Sequence, residues 1–313
     1  MVERRDRTTL HHGDYRETLA LCEGRADLVF TSPPYADART YGIGCSWTMD
    51  DYAALGDAVF AALRPGGHAL INVDAPVREW RPGFGTERGW HAWEMMIDWG
   101  RRVGFRVPDR LAFGRMGSPG AYGGRFRNDW EPLLWFTKPG GDSWMDRACL
   151  AVPAKYGKSA GGAGHSRRSD GTQYVRTISG WAAEEGMTHR GSLWDYGHIG
   201  NANTGAPDIE AQGHPARWPY KLSEDIVRCF CPPDGLACDP FVGAGTSAAA
   251  ALEHGRRFIG GDLGSRTADV ERGLDAVPWV TVTGRVLDER FKQLRMFDLA
   301  NPASADVYGG RHG

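Results

Sequence analysis

CDPFVGAGTSAAAALEHG, residues 238–255, sets two glycines, Gly243 and Gly245, between an apolar run and an alanine-rich run. GLACDP (235–240) predicts a strand, and TSAAAALEHG (246–255) predicts a strong helix that Gly255 ends. Strand, glycine turn and helix make the setting of a ligand-cradling loop. Without a Cβ the backbone N–H groups approach a ligand closely, and the start of the following helix favours a negative group. The loop has no Gly-Lys-Ser/Thr ending and no third glycine at the dinucleotide spacing, so neither a P-loop nor a dinucleotide is implied. RRFIGGDL (256–263) predicts the next strand, ending at Asp262 about 20 residues on, where an acidic side chain accepts from both hydroxyls of a ribose. The expected ligand is a nucleoside.

Working outward, ADLVFT (26–31) reads as a buried strand stopped by Ser32-Pro33-Pro34-Tyr35. Two prolines make a stiff turn that cannot rejoin a sheet ladder, while their carbonyls remain acceptors. The Ser32 hydroxyl adds a second acceptor beside the flat face of Tyr35. Such a loop suits a planar group with an exocyclic NH2, stacked on the ring and held by both hydrogens. The other reading of the quartet is a proline turn whose tyrosine packs in the core.

An α/β rhythm surrounds these loops. Residues 50–63 predict a helix that RPGG (64–67) stops, and HALINV (68–73) predicts a strand. A helix over 90–104 with a glycine stop and a strand over 131–137 follow. Between about 139 and 213 the rhythm gives way to a Gly-, Ser- and Arg-rich insertion, with 155–171 too poor in apolar residues to order itself well. In KLSEDIVRCFCPP (221–233), Ser223 is expected to cap a helix that presents Ile226, Val227 and Phe230 on one face. The divisions expected are 1–138, carrying the Pro-Pro loop; the 139–213 insertion; 214–280, completing the same domain; and a 281–313 tail.

Composition narrows the partners. Thirty-seven Lys and Arg face 39 Asp and Glu, a net charge of −2. Residues 101–190 nevertheless hold fifteen basic against eight acidic side chains, +7, which leaves −9 for the rest. A basic middle on an acidic frame is compatible with a face that tracks phosphates, and equally with a solvated mixed surface. No run approaches the roughly 20 apolar residues of a membrane span, and the amino-terminal residues are polar, so a cytosolic protein without a membrane partner is expected. The six cysteines lack paired C-x2-C spacing; thiols rather than metal ligands are expected.

TSPPY upstream of DPFVGAGT resembles the S-adenosylmethionine-dependent DNA amino-methyltransferases, in the permuted class whose catalytic loop precedes the cofactor loop. The similarity runs through HHGDYRETL (11–19), LRPGGHALINV (63–73), FRNDWEPLLWFTK (126–138), HPARWP (214–219) and RRFIGGDL. It implies a Rossmann-like class I methyltransferase fold with a mostly parallel seven-stranded sheet, circularly permuted, and a target-recognition region in the 139–213 insertion. The cofactor strand and the Pro-Pro strand should be neighbours. Thr31, Asp239, Phe241, Gly243, Gly245 and Thr246 would line the cofactor loop, Asp262 would take the ribose, Asp14 would lie near the adenine end, and His214 and Pro215 near the methionine end beside Pro219. Asp14 equally suits a turn after Gly13.

The chemistry expected is transfer of methyl to the amino nitrogen of a base flipped from duplex DNA and stacked on Tyr35. Ser32 Oγ and the Pro33 carbonyl would accept the two amino hydrogens and favour the pyramidal nitrogen that attacks. Serine at the first position of the quartet is associated in that family with cytosine N4; adenine N6 is the alternative. An RNA or protein-amide methyltransferase and a non-catalytic DNA-binding module of the same fold are more distant readings. Lys155, Lys158, Arg167 and Arg168 are expected to contact phosphates from a loop mobile without DNA. Two departures stand out: Asp262 replaces the glutamate often found at the ribose, and the recognition loop is unusually glycine-rich. A companion restriction endonuclease and the oligomeric state are left open.

Overall fold

A computed structural model describes residues 7–35, 47–75, 77–81, 85–116, 126, 128–153, 162–178, 186–198, 218–243, 245–263 and 285–286. In chain order these form β1 (Thr8–His12), α1 (Tyr15–Ala20), β2 (Ala26–Thr31), α2 (Met49–Ala62), β3 (Leu63–Asn72), β4 (Val77–Arg81), β5 (Gly85–Arg88), α3 (His91–Asp98), β6 (Arg110–Met116) and β7 (Trp130–Thr137). There follow β8 (Val152–Pro153), β9 (Gly162–Arg167), β10 (Gln173–Ile178), β11 (Met187–Thr188), β12 (Leu193–His198), α4 (Tyr220–Phe230), β13 (Leu236–Asp239), α5 (Thr246–Glu253), β14 (Arg257–Asp262) and β15 (Arg285–Val286).

One sheet carries the order β12-β6-β7-β3-β2-β13-β14-β1-β15, with β7 alone antiparallel to its neighbours. Seven strands were expected; the seven from β6 to β1 are extended by β12 at one edge and β15 at the other. The outer strand β12 comes from the insertion and pairs in parallel with β6. Its Trp194 is buried in the core, and Tyr196 donates to the buried Asp225 of α4 at 2.9 Å, beside the Arg190–Asp225 ion pair at 2.7 Å.

Alternation along each strand divides the core in two. Leu28, Phe30, Leu70 and Leu133 face α4 and α5, whereas Val29, Ala69, Ile71 and Leu134 face α1, α2 and α3. Side chains two apart share a face, so strands covered on both sides are apolar throughout, and the result is a helix–sheet–helix sandwich. A capping box between Thr48 and Asp51 starts α2, and Lys138 Nζ donates to the carbonyls of Phe60 and Leu63 at its other end, 2.7 Å each.

Two local expectations are corrected. RPGG does not precede the third strand; it is a bulge within it, because Ala26 pairs with Leu63 and Leu28 already pairs with His68. Gly66 sits there at φ 81°, and a Cβ would lie 2.2 Å from the Asp142 carbonyl oxygen. Ser223 is not a cap. The helix begins at Tyr220 after Pro219, whose φ of −64° already suits that junction, and Ser223 Oγ bonds back to the Pro219 carbonyl at 3.3 Å. Within the glycine-rich stretch, β9 and β10 form a ladder that ends at Arg167, and Arg167 and Arg168 are exposed. No helix among the described residues is long and apolar enough to cross a membrane.

Candidate active site

Strands β2 and β13 are adjacent and parallel, with Leu28 opposite Ala237 and Val29 opposite Cys238. Both end at the same edge of the sheet. From β2 the chain continues through α2 to β3 on one side, and from β13 through α5 to β14 on the other, so the two loops flank a topological switch point, where open α/β sheets bind ligands.

The loops are tied together beneath that edge. Thr31 Oγ1 donates to Asp239 Oδ1 at 2.5 Å, Ser247 Oγ donates to Asp239 Oδ2 at 2.5 Å, and the Phe241 N–H donates to Oδ1 at 3.0 Å. Asp239 is only 2 % exposed, and burial pushes its carboxyl up to about 6 against the pull of those three donors. Its oxygens are thus engaged within the protein, so it braces the glycine turn from below. Thr31 is fully buried and does the same from β2.

Above it, Gly243 and Gly245 adopt left-handed φ values of 51° and 85°. The Gly243 N–H donates to Asp262 Oδ2 at 3.1 Å, and the Val242 N–H donates to the Gly261 carbonyl at 2.9 Å, so β14 clasps the turn. Thr246 opens α5, and its Oγ1 is buried without a hydrogen-bond partner, a costly arrangement in a folded core. A hydroxyl left unpaired at a helix amino terminus beside two left-handed glycines fits a polar ligand, and Asp262 gives that ligand an acidic neighbour.

Strand β1 places His12 beside Asp262, and Asp14 follows as the cap of α1, accepting from the Arg16 N–H at 2.8 Å. Partial burial works against ionisation of Asp14, but the Arg16 guanidinium, 2.8 Å away, overrides it and holds the carboxyl below its ordinary value. Of the two expectations for Asp14, the turn role is directly visible. The next residue, Tyr15, packs against Phe241 and Trp47, ring centroids 5.5 Å apart in both pairs. Trp47 in turn touches Tyr52, and its Nε1 is buried and unpaired.

The Ser32–Tyr35 bend leaves β2 at the same edge. Not all its carbonyls stay available: Pro34 accepts from the Tyr52 hydroxyl at 2.9 Å. Among the described residues the Pro33 carbonyl and Ser32 Oγ have no such partner. The Tyr35 ring is 8 % exposed in the α2-side core, so the flat open face expected for it is covered. Its hydroxyl donates to Glu131 Oε2 at 3.2 Å and toward Asn72 Oδ1 at 3.4 Å.

Thr31, Ser32, Pro33, Pro34, Tyr35, Asp239, Phe241, Gly243, Gly245, Thr246, Asp262 and Asp14 therefore share one rim. Arg167 and Arg168 lie on the β9–β10 hairpin, a two-stranded sheet of its own, where the Arg168 guanidinium lies over the Tyr174 ring at 5.1 Å. His214, Pro215, Lys155 and Lys158 lie outside the described residues. Sequence reasoning missed Tyr52, Asn72 and Glu131. A carboxylate opening the apolar strand EPLLWFT was the available signal, since a buried charge needs partners. The basic count was also diluted by pairing, for Arg102 bonds Asp57 and Asp98, and Arg190 bonds Asp225.

The family model described as DNA methylase, of the N6/N4 methyltransferases, matches residues 26–270. The orphan methyltransferase M.BamHII of Bacillus amyloliquefaciens is 25 % identical over 245 residues, 78 % of this chain and 86 % of its own. The type II methyltransferase M.ScaI of Streptomyces caespitosus is 32 % identical over 277 residues, 84 % and 80 % of the two chains. Among solved structures, the cytosine-N4-specific PvuII DNA methyltransferase superposes with a TM-score of 0.60 at 18 % identity, covering 95 % of this chain and 92 % of its own.

Proposed function

Since this chain belongs to the N6/N4 family of DNA methylases, with S-adenosyl-L-methionine as cofactor and DNA as substrate, we propose that it methylates cytosine at the exocyclic N4. The observation that carries this reading is the Thr31–Asp239 bond, which brings the Ser32–Tyr35 bend and the glycine turn to one edge of the sheet. Ser32 at the head of the bend favours cytosine over adenine N6, by the association of serine at that position with N4 chemistry.

Bound S-adenosylmethionine supplies an electrophilic methyl group. Gly243, Gly245, Thr246 and Phe241 would hold it, with Asp262 at the ribose, Asp14 at the adenine end, and His214 and Pro215 at the methionine end. Thr31 and Asp239 serve by holding that turn in place. The amino group of a base is a weak nucleophile because its lone pair is delocalised into the ring. Ser32 Oγ and the Pro33 carbonyl accept its two hydrogens and localise that pair, an interaction that strengthens as the nitrogen becomes pyramidal. No covalent bond to the protein is needed; positioning and hydrogen bonds lower the barrier.

The target base is turned out of the duplex to reach this edge. Stacking on Tyr35 requires the side chains that now cover its ring to part. Lys155, Lys158, Arg167 and Arg168 contact phosphates and set register rather than sequence. The test is mass spectrometry of nucleosides from DNA incubated with the protein and S-adenosylmethionine. N4-methylcytosine is expected, and N6-methyladenine as sole product would overturn the choice of base.

A further inference from the structure

We infer that Glu131 is a positioning residue for methyl transfer, gripping the Tyr35 hydroxyl and so fixing the bend that meets the amino group. The inference rests on the reading of Ser32–Tyr35 as that bend. A Pro-Pro turn cannot be held through its own nitrogens, because proline has no N–H to donate. It is held only through its carbonyls and the side chain that follows. Tyr52 Oη, from α2, takes the Pro34 carbonyl at 2.9 Å. Tyr35 Oη, from the residue that follows, reaches Glu131 Oε2 at 3.2 Å.

The grip comes from an unexpected quarter. Because β7 runs antiparallel to β3, with Asn72 opposite Leu133, the beginning of β7 lies at the carboxyl end of β3, the same rim as the bend. Glu131 is 4 % exposed there. Asn72 Nδ2 donates to the same Oε2 at 3.3 Å and to the Pro132 carbonyl at 3.0 Å, so the acceptor is itself braced. A carboxylate in an otherwise apolar strand is expensive to bury, and packing alone is served better by leucine or methionine. What this carboxylate does that an apolar side chain cannot is accept hydrogen bonds, among them the one from the Tyr35 hydroxyl. The Pro33 carbonyl, immediately before the two anchored positions, is left for the substrate, and a misplacement of about 1 Å there costs on the order of a hundredfold in rate.

A role confined to packing predicts a different pattern from a grip on Tyr35, and a double-mutant cycle separates them. Methyl incorporation into unmethylated DNA gives kcat, and calorimetry gives S-adenosylmethionine affinity. Glu131→Ala and Tyr35→Phe should each lower kcat by about tenfold with cofactor Kd changed less than about twofold, and the double variant should be no worse than the weaker single. Glu131→Gln, which keeps an acceptor, should restore most of kcat. Full kcat in Tyr35→Phe, or losses that multiply in the double variant, would overturn the inference. Should Glu131→Ala fail to fold, Tyr35→Phe and Glu131→Gln decide alone: the first slow and the second near wild type supports it, and any other pairing overturns it. A wild-type protein that binds cofactor but methylates no DNA would instead sink the functional reading on which the inference stands.

Discussion

Thr31 and Asp239, 208 positions apart in the chain, meet at 2.5 Å through Oγ1 and Oδ1 in the core of the sheet. Each is the last residue of its strand, and each is followed at once by the loop that carries the chemistry. One buried bond therefore sets the spacing of two loops that the chain order keeps far apart.

Replacing Thr31 by Val keeps the volume and removes the donor. A carboxylate oxygen of Asp239 then loses one of its two donors in a dry site, at a cost of about 1–3 kcal/mol in unfolding free energy. Cofactor affinity should fall with it, because the glycine turn loses its brace. Denaturant unfolding and calorimetry read the two effects; a variant with native stability and affinity would deny the link.

Acidity offers a second test. Asp239 is raised to about 6 by burial, so the folded state binds that proton more tightly and stability falls as pH climbs from about 4 to about 6. His68 is lowered to about 4 by burial, with Nε2 donating to the Trp144 carbonyl at 2.9 Å and Nδ1 accepting from the indole of Trp135, so its contribution rises with pH from about 4 to about 6.5. The two contributions run in opposite directions over the same pH range. Asp239→Asn should unmask His68, making stability climb with pH relative to wild type in urea titrations between about pH 4.5 and 6. Parallel profiles for the two proteins would contradict this.

Gly245 precedes α5 at φ 85°, where a Cβ is strained. Gly245→Ala should cost about 1–2 kcal/mol and weaken cofactor binding, because the strain is relieved by moving the turn. Unchanged affinity by calorimetry would show that the turn does not face the cofactor.

The hairpin basics make a salt-dependent prediction. Replacing Arg167 and Arg168 by Ala should flatten the plot of log binding constant against log salt by about 2, and adding Lys155 and Lys158 by about 4 in all. Cofactor affinity should not change. An unaltered slope in the quadruple variant removes these residues from the phosphate contacts.

Much of this site was legible where the physics is local. Prolines cannot pair in a ladder, so β2 ends at Thr31 as TSPP dictates, and left-handed Gly243 and Gly245 mark the turn that the strand–helix context implies. What escaped depends on long-range pairing. Nothing in RPGG says that its strand has already begun at Leu63, since that follows from its register with Ala26. Ser223 resembles a cap until Pro219 claims the position four residues earlier. Glu131 looks like a strand's polar rim until the antiparallel β7 carries it to Tyr35, and that contact draws the tyrosine into the core. The edge strand β12 hides in a segment whose composition reads as loop.

A crystal structure of the protein with S-adenosylhomocysteine and a duplex trapping the target cytosine most directly tests whether the two loops build one site. The thioether sulfur should lie over the carboxyl edge between Gly243 and the Ser32–Tyr35 bend, with the cytosine N4 facing it and within reach of Ser32 Oγ and the Pro33 carbonyl. A nucleoside bound away from Gly243 and Thr246, or a cytosine that never approaches Ser32, would contradict it.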